Sequence, residues 1–289
     1  MYKHFLLTCA VIAACIIPTS LQAKKLEQLP HIFYVTIPVE TAEGVIDISA
    51  QYRLPRNLTA KAPAVVILHS SSGVDSTGVF YAKALNKKGI ATLEVDLWGG
   101  RDLLGGSEGR PSSPQETLND AFSALDFLAA RDEIDSNKIG VLGFSWGGVL
   151  SLLTSTNQYA SLSLSGNRFA GHVAHYPVCW AYNAVPGFEF SDLTGSPVLI
   201  QTGELDDYDL PDTCSSLVNS LNEEDHSLVT LKTYKNAYHA WDRLEPEWIV
   251  EDPTSHLGTG GSVTLAPNKK VAKKSKRRVV KFFSELFFD

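Results

Sequence analysis

Gly143-Phe144-Ser145-Trp146-Gly147-Gly148 sets a serine between glycines, just after the strand-like Lys138–Leu142 and just before the small, apolar run Gly147–Leu153. A G-x-S-x-G segment in a strand–turn–helix frame is a nucleophile elbow. The tight turn favours flanking glycines, and it holds the serine hydroxyl out at the strand end. The positive end of the following helix, with the free N–H of Trp146, suits a developing oxyanion. A serine hydroxyl needs a base, and the expected chain order is serine, acid, histidine. Both partners follow on strand ends. The run Val198–Thr202 leads into Gly203-Glu204-Leu205-Asp206-Asp207, and Val229–Tyr234 leads into Lys235-Asn236-Ala237-Tyr238-His239. His239 would take the Ser145 proton and return it to the leaving group; Asp206 would orient and stabilise His239. Asp207 competes with Asp206, which is favoured as the nearer aspartate to the strand-end turn. Glu204 and Asp209 are weaker candidates. The second oxyanion donor should be a backbone N–H of the loop His69-Ser70-Ser71-Ser72-Gly73. Ser71 is nominated, with Ser70 as rival and an ordinary polar turn as the alternative.

The elements needed to hold these residues are legible. Phe33, Val35, Ile37 and Val39 face one way; Ile46, Ile48, Ala50, Tyr52 and Leu54 alternate with polar residues, so Glu43-Gly44 joins an antiparallel hairpin. Ala64–Leu68 is a continuous apolar run, the signature of a strand buried on both faces. A helix is expected around Val79–Lys88, a strand over Ala91–Val95, and a helix over Gln115–Arg131 opened by Pro114. Further strands are expected at His172–Tyr176, Val198–Thr202 and Val229–Tyr234, and an amphipathic helix over Lys269–Phe287 closes the chain. Alternating strand and helix predict an α/β fold with a doubly wound, mostly parallel sheet flanked by helices. One domain over residues 24–289 is the simplest division. The stretches 97–113, 180–196 and 241–266 read as long loops, where such folds build sites.

Residues 1–23 read as an export signal: Lys3, an apolar run from Phe5 to Ile17, and a small-residue cleavage site at Leu21-Gln22-Ala23. The run is too short to span a bilayer comfortably. An uncleaved anchor is one alternative; a lipid on Cys15, from Ile12-Ala13-Ala14-Cys15, is another. The expected location is therefore periplasmic or secreted. Cleavage leaves Cys179 and Cys214, which could pair in an oxidising compartment or stay as two buried thiols.

The 289 residues are 44% hydrophobic with a formal charge of −7, which argues against nucleic acid as the main partner. No phosphate-cradling or zinc-finger pattern is present, and neither metal nor cofactor is expected. His172 and His175 sit three apart on one strand and point to opposite faces, so they should not share a metal. His31, His226 and His256 have no constellation around them. The basic run Lys269–Arg278 reads as the solvated face of the last helix, with an anionic surface or partner as the alternative.

The chain resembles the dienelactone hydrolase family of α/β hydrolases. The resemblance rests on HSSSG at 69–73, VDLWGGRD at 95–102, KIGVLGFSWGG at 138–148, HYPVC at 175–179, GELDDYDLPDTC at 203–214 and YKNAYHAWD at 234–242. It implies an α/β-hydrolase fold without cofactor, monomeric or weakly dimeric, acting on an ester-type carbonyl of a small molecule. Two departures stand out: the family's cysteine nucleophile is replaced by Ser145, and the glutamate that activates it by Ser70. The chain is thus similar to a serine-bearing, exported branch. The family's arginine for a substrate carboxylate falls near Arg101, with an extra glycine before it. The resemblance also puts Cys179 and Cys214 in comparable places and favours their bridge. Among the loop aromatics Trp98, Trp180, Tyr182, Phe188, Phe190 and Trp241, the last is taken with Arg101 as a substrate contact. The expected activity is cleavage of a carboxylic ester or lactone through an acyl-enzyme on Ser145. A non-catalytic binding protein is the alternative from a different class, and acyl transfer or peptide cleavage by the same triad is a third.

Overall fold

The protein is described by a computed structural model that covers residues 29–56 and 58–289. The leader expected over residues 1–23, with Cys15, lies outside the described residues. Eight strands form one sheet in the order β1-β2-β4-β3-β5-β6-β7-β8. β1 (His31–Thr41) and β2 (Gly44–Leu54) are the expected hairpin, paired from Thr41↔Gly44 to His31↔Leu54. β2 pairs antiparallel with β4 (Ala91–Val95), and from there every neighbour is parallel: β3 (Ala62–Leu68), β5 (Ile134–Phe144), β6 (His172–His175), β7 (Val198–Gly203) and β8 (Val229–Tyr234).

The apolar run of β3 is explained by its position. Ala64, Val66 and Leu68 face one core; Val65 and Ile67 face the other. The first core is closed by helices α2 (Leu118–Ala129) and α3 (Trp146–Leu153), the second by α1 (Ser76–Asn86) and α6 (Lys269–Phe288). Burying both faces makes every inward alternation apolar, so period-2 patterning vanishes. Caps fix the helix starts. Asp75 Oδ1 accepts the Thr77 N–H at 2.8 Å, and Asn268 Oδ1 accepts the Val271 N–H at 3.1 Å. Pro114 opens a single 3₁₀ turn, Pro114–Thr117, before α2 begins at Leu118. Two short helices, α4 (Thr213–Asn219) and α5 (Glu223–Leu228), connect β7 to β8.

The stretch 241–266 is not all loop. It carries a second, two-stranded sheet of β9 (Trp248–Asp252) and β10 (Gly261–Leu265). These strands are five residues each; β9 shows no hydrophobic alternation, with Trp248 and Ile249 largely exposed, and β10 alternates only over Ser262–Leu265. Among the described residues no helix is long and apolar enough to cross a membrane.

Candidate active site

The serine elbow follows from close packing. Ser145 stands at φ 50°, ψ −110°, between the end of β5 and the first turn of α3. That strained conformation persists only because its surroundings over-determine it. The Ser145 N–H donates to the His175 carbonyl at 3.0 Å, and its own carbonyl accepts the Val149 N–H at 2.8 Å. The Gly147 N–H donates to the His69 carbonyl at 3.0 Å. A Cβ on Gly143 would run into the Gly147 carbonyl, and one on Gly147 into the Leu68 carbonyl. The glycines therefore let the elbow press against the end of β3, which brings the Ser70–Ser72 loop beside the nucleophile.

The expected acid and base lie after the last two strands of the sheet, β7 and β8, beyond β6. Asp206 follows β7 and His239 follows β8; both are buried. His239 Nδ1 lies 2.8 Å from Asp206 Oδ2 and 3.0 Å from Oδ1. A carboxylate accepts only, so the Nδ1 proton sits between them and Nε2 is left as the free base. Nε2 makes no hydrogen bond among the described residues, and His239 and Ser145 line the same cavity. The rings of Tyr176 and Tyr208 pack on the imidazole, each with a centroid distance of 4.6 Å. Asp207 is spent elsewhere: its Oδ2 accepts the Thr264 N–H at 2.7 Å. Glu204 accepts the Asn236 N–H at 3.1 Å. Asp209 accepts the N–H groups of Cys179 and Trp180 at 2.7 and 2.8 Å. Burial, then the charge of Asp206, pushes the Asp209 carboxyl up to about 7 against the pull of those two N–H groups.

Two cavities meet at Ser145, Ser71 and Tyr208. The larger, about 310 Å³, is walled by Trp146, Val149, Trp180, Val185, Pro186 and Phe188. The smaller, about 180 Å³, lies on the His239 side under Leu104, Trp248, Val250 and Leu265. Among the described residues the backbone N–H groups of Trp146 and Ser71 have no hydrogen-bond partner, and both residues line the larger cavity. Two free donors beside a strand-end serine can hold the oxygen of a tetrahedral intermediate.

Two sequence expectations are corrected. Arg101 makes a bidentate pair with Asp120 of α2 at 2.7 and 2.8 Å and donates to the Leu97 carbonyl. It lines neither of the two cavities. Trp241 is fully buried against Tyr176, His175 and Tyr234, and also lines neither. His172 and His175 do point to opposite faces. His172 Nδ1 bonds the Ser151 carbonyl at 3.0 Å, and burial holds its imidazole down to about 3. His175 Nδ1 lies 3.0 Å from Asp242, which also accepts the hydroxyls of Tyr81 and Tyr176 at 2.7 Å each.

Arg110, Asp252 and Arg243 escaped the sequence reading. Arg110 Nη1 donates to Ser71 Oγ at 2.7 Å and Nη2 to Asp252 Oδ1 at 3.0 Å, with the guanidinium 5.4 Å from the Trp146 ring. Asp252 also accepts the Tyr208 hydroxyl at 2.8 Å. Burial opposes its ionisation, but the bonds from Thr254 and the charge of Arg110 outweigh it and lower its pKa. One chain of contacts thus runs from Ser71 through Arg110 and Asp252 to the tyrosine on His239. Arg243 Nε lies 3.2 Å from Asp75, and the residue lines the smaller cavity. The sequence signal for Arg243 was its place four residues after His239. Cys179 and Cys214 are joined by a disulfide, tying the wall at Val178–Ala181 to α4 just after the acid loop.

A mostly parallel sheet with Ser145 at the end of β5, Asp206 after β7 and His239 after β8 has the order of an α/β-hydrolase fold. Residues 48–287 match the dienelactone hydrolase family, and the chain belongs to it. In sequence it is similar to the uncharacterized protein PA2218 of Pseudomonas aeruginosa, at 31% identity over 110 residues, 36% of this chain and 29% of that protein. YtaP of Bacillus subtilis is 22% identical over 160 residues, 48% of this chain and 53% of YtaP. The chain thus spans about half or less of the curated relatives it matches. Among solved structures it is similar to the dienelactone hydrolase-like promiscuous phosphotriesterase P91 from metagenomic libraries, with a TM-score of 0.62 at 18% identity over 88% of this chain and 98% of that one. Est1E from Butyrivibrio proteoclasticus gives a TM-score of 0.59 at 16% identity over 88% and 99%. At these identities the structural likeness concerns the fold.

Proposed function

We propose that the protein is an exported serine hydrolase that cleaves a small carboxylic ester or lactone through an acyl-enzyme on Ser145. The observation that carries this reading is the buried Asp206–His239 pair at 2.8 Å, with Nε2 free on the cavity that Ser145 lines. Ser145 Oγ attacks the carbonyl carbon while His239 Nε2 takes its proton. The oxyanion is received by the N–H groups of Trp146 and Ser71. His239 then returns the proton to the leaving oxygen, the ester C–O bond breaks, and the alcohol departs. A water molecule, deprotonated by the same histidine, attacks the acyl-enzyme and releases the acid.

The larger cavity receives the acyl group, because its wall is apolar and aromatic and it lies beside the oxyanion donors. The smaller one receives the leaving group, because the proton donor His239 lines it. The bridged cysteines suit an oxidising compartment and support export.

The test is the intact mass of the purified protein after exposure to a fluorophosphonate probe, with Ser145→Ala alongside. One adduct on the wild type and none on the variant is expected. A well-folded wild type that takes no adduct, or a variant that keeps ester turnover, rejects the reading.

A further inference from the structure

The basic run of the last helix takes no part in the triad chemistry, and its neighbours give it a purpose. Eight of the chain's 25 Lys and Arg residues lie in α6, with Glu285 as the only acid among them. The apolar side of α6, through Val271, Val279, Phe283 and Phe287, is buried in the core, so its cations face outward. They do not stand alone. A groove of about 530 Å³ runs between α1 and α6, floored by Val79, Phe80 and Val280 with Leu244 at its edge. Its charged rim is Lys83, Lys87, Lys88, Lys276 and Arg277, and no acid lines it. The nearest acids are engaged: Asp75 pairs with Arg243 at 3.2 Å, and Glu245 accepts the Ser76 hydroxyl at 2.7 Å. The face therefore carries like charges crowded together without counter-charges. Lys276 shows the effect, its pKa lowered by burial and by the neighbouring charges of Lys87 and Lys273.

We propose that the α1–α6 face docks this protein on an anionic lipid bilayer, its ammonium groups on headgroup phosphates and the exposed apolar edge of the groove against the acyl boundary. Charge complementarity selects an anion, and the apolar floor selects an amphiphile. Leu244 at the groove edge is 64% exposed, an apolar surface that water otherwise wets. A nucleic acid fits less well. The one aromatic ring on the floor, Phe80, is already covered by the Lys276 ammonium at 3.8 Å and offers no face for a base to stack on. The rim carries four lysines to one arginine, point charges rather than planar forks for bases. Arg243 lines the small cavity and Leu244 the groove, so docking would set the leaving-group side of the active site close to the bilayer.

The test is flotation of the exported form, residues 24–289, with phosphatidylcholine vesicles, with and without about one-third phosphatidylglycerol, at low salt and at about 0.5 M salt, where screening is short-ranged. Lys87→Glu/Lys273→Glu/Arg277→Glu is run in parallel, and a variant with glutamine at the same three positions guards against a repulsion artefact. All begin at residue 24, after the expected cleavage site, so the apolar leader takes no part. The wild type is expected to partition to the anionic vesicles and to release in high salt. Each surface cation contributes a several-fold factor, so the charge reversal should weaken partitioning by about a hundredfold or more. The glutamine variant should lie between, and turnover of a soluble ester should be unchanged in both. Equal partitioning of wild type and charge-reversed protein, or equal partitioning to neutral and anionic vesicles, overturns the proposal. So does tight binding to duplex DNA with no preference for anionic vesicles.

Discussion

Asp206 Oδ2 lies 2.8 Å from His239 Nδ1, while the next residue, Asp207, turns its carboxylate to the Thr264 N–H at 2.7 Å. Two adjacent aspartates thus have separate partners: one holds the His239 imidazole, the other fastens β10 to the loop after β7. Asp206→Asn should lower kcat by about 10³- to 10⁴-fold, because the amide allows the wrong imidazole tautomer. Asp207→Asn should leave kcat within a few-fold and lower thermal stability instead. Steady-state kinetics on a soluble nitrophenyl ester, with melting curves, separates the two. Similar kcat losses in both variants would refute the assignment.

Arg110 and Asp252 form a buried pair that supports both Ser71 and Tyr208. Arg110→Leu leaves Asp252 buried without its cation, which should cost about 3 to 5 kcal/mol in urea unfolding. Removing both charges in Arg110→Leu/Asp252→Asn should recover part of that stability. Turnover should stay low in both, since Ser71 loses its tether either way. A double variant with full turnover would show that the tether does not position the oxyanion loop.

The two cavities should be tunable apart. Phe188→Ala enlarges the acyl wall and should shift preference toward longer acyl chains by about tenfold in relative kcat/KM per added group. Trp248→Ala should leave acyl preference alone and alter selection among leaving groups. A crossed panel of acyl lengths and alcohols reads both. Effects in the opposite sense would reverse the assignment of the cavities.

His172 gives a pH signature. Burial lowers its pKa from 6.5 to about 3, so the folded protein keeps it neutral. The unfolded chain takes up that proton below about pH 6.5, and the folded one does not until near 3. Stability should therefore fall as pH drops through this window, by about 2 to 3 kcal/mol between pH 6.5 and 4.5 from this group. His172→Gln should flatten the profile in denaturant titrations at pH 7.5, 5.5 and 4.5. Parallel profiles for the two proteins would contradict it.

The Cys179–Cys214 bridge closes a loop of 35 residues. Losing it should cost about 3 to 4 kcal/mol in the chain-entropy account. Because Cys179 adjoins the wall of the larger cavity, Cys179→Ala/Cys214→Ala should also raise KM more than it lowers kcat. Unchanged KM would confine the bridge to stability.

Much of the site was legible because its parts are local. Ser145 sits in one strand–turn–helix run over residues 138–153, and Asp206 and His239 each follow a short strand-like run. The sheet was legible for the same reason: β3 and the start of β7 are short apolar runs, and β8 alternates Val229 and Leu231 with a polar partner at each step. What sequence hid depends on contacts between distant segments. Arg110 finds Asp252 from 142 positions away, on a strand too short and exposed to show a pattern. Arg101 was misplaced because its partner, Asp120, is an inward-facing residue of α2 that the spacing of charges along the chain does not reveal. Trp241 was misplaced because nearness to His239 along the chain does not fix which way a ring turns. It packs beneath the histidine's neighbours.

The nucleophile stands at a junction between two chambers rather than at the bottom of one. In the proposed reaction the first product can leave from the histidine side while the remaining half of the substrate stays seated opposite. The vacated space is then a doorway of its own, open to whichever small hydroxyl compound diffuses in. Water is the default visitor by abundance alone. An alcohol shaped like the one that just departed has a ready-made berth, so the same architecture that favours hydrolysis in dilute solution favours exchange of one alcohol for another when alcohol is plentiful.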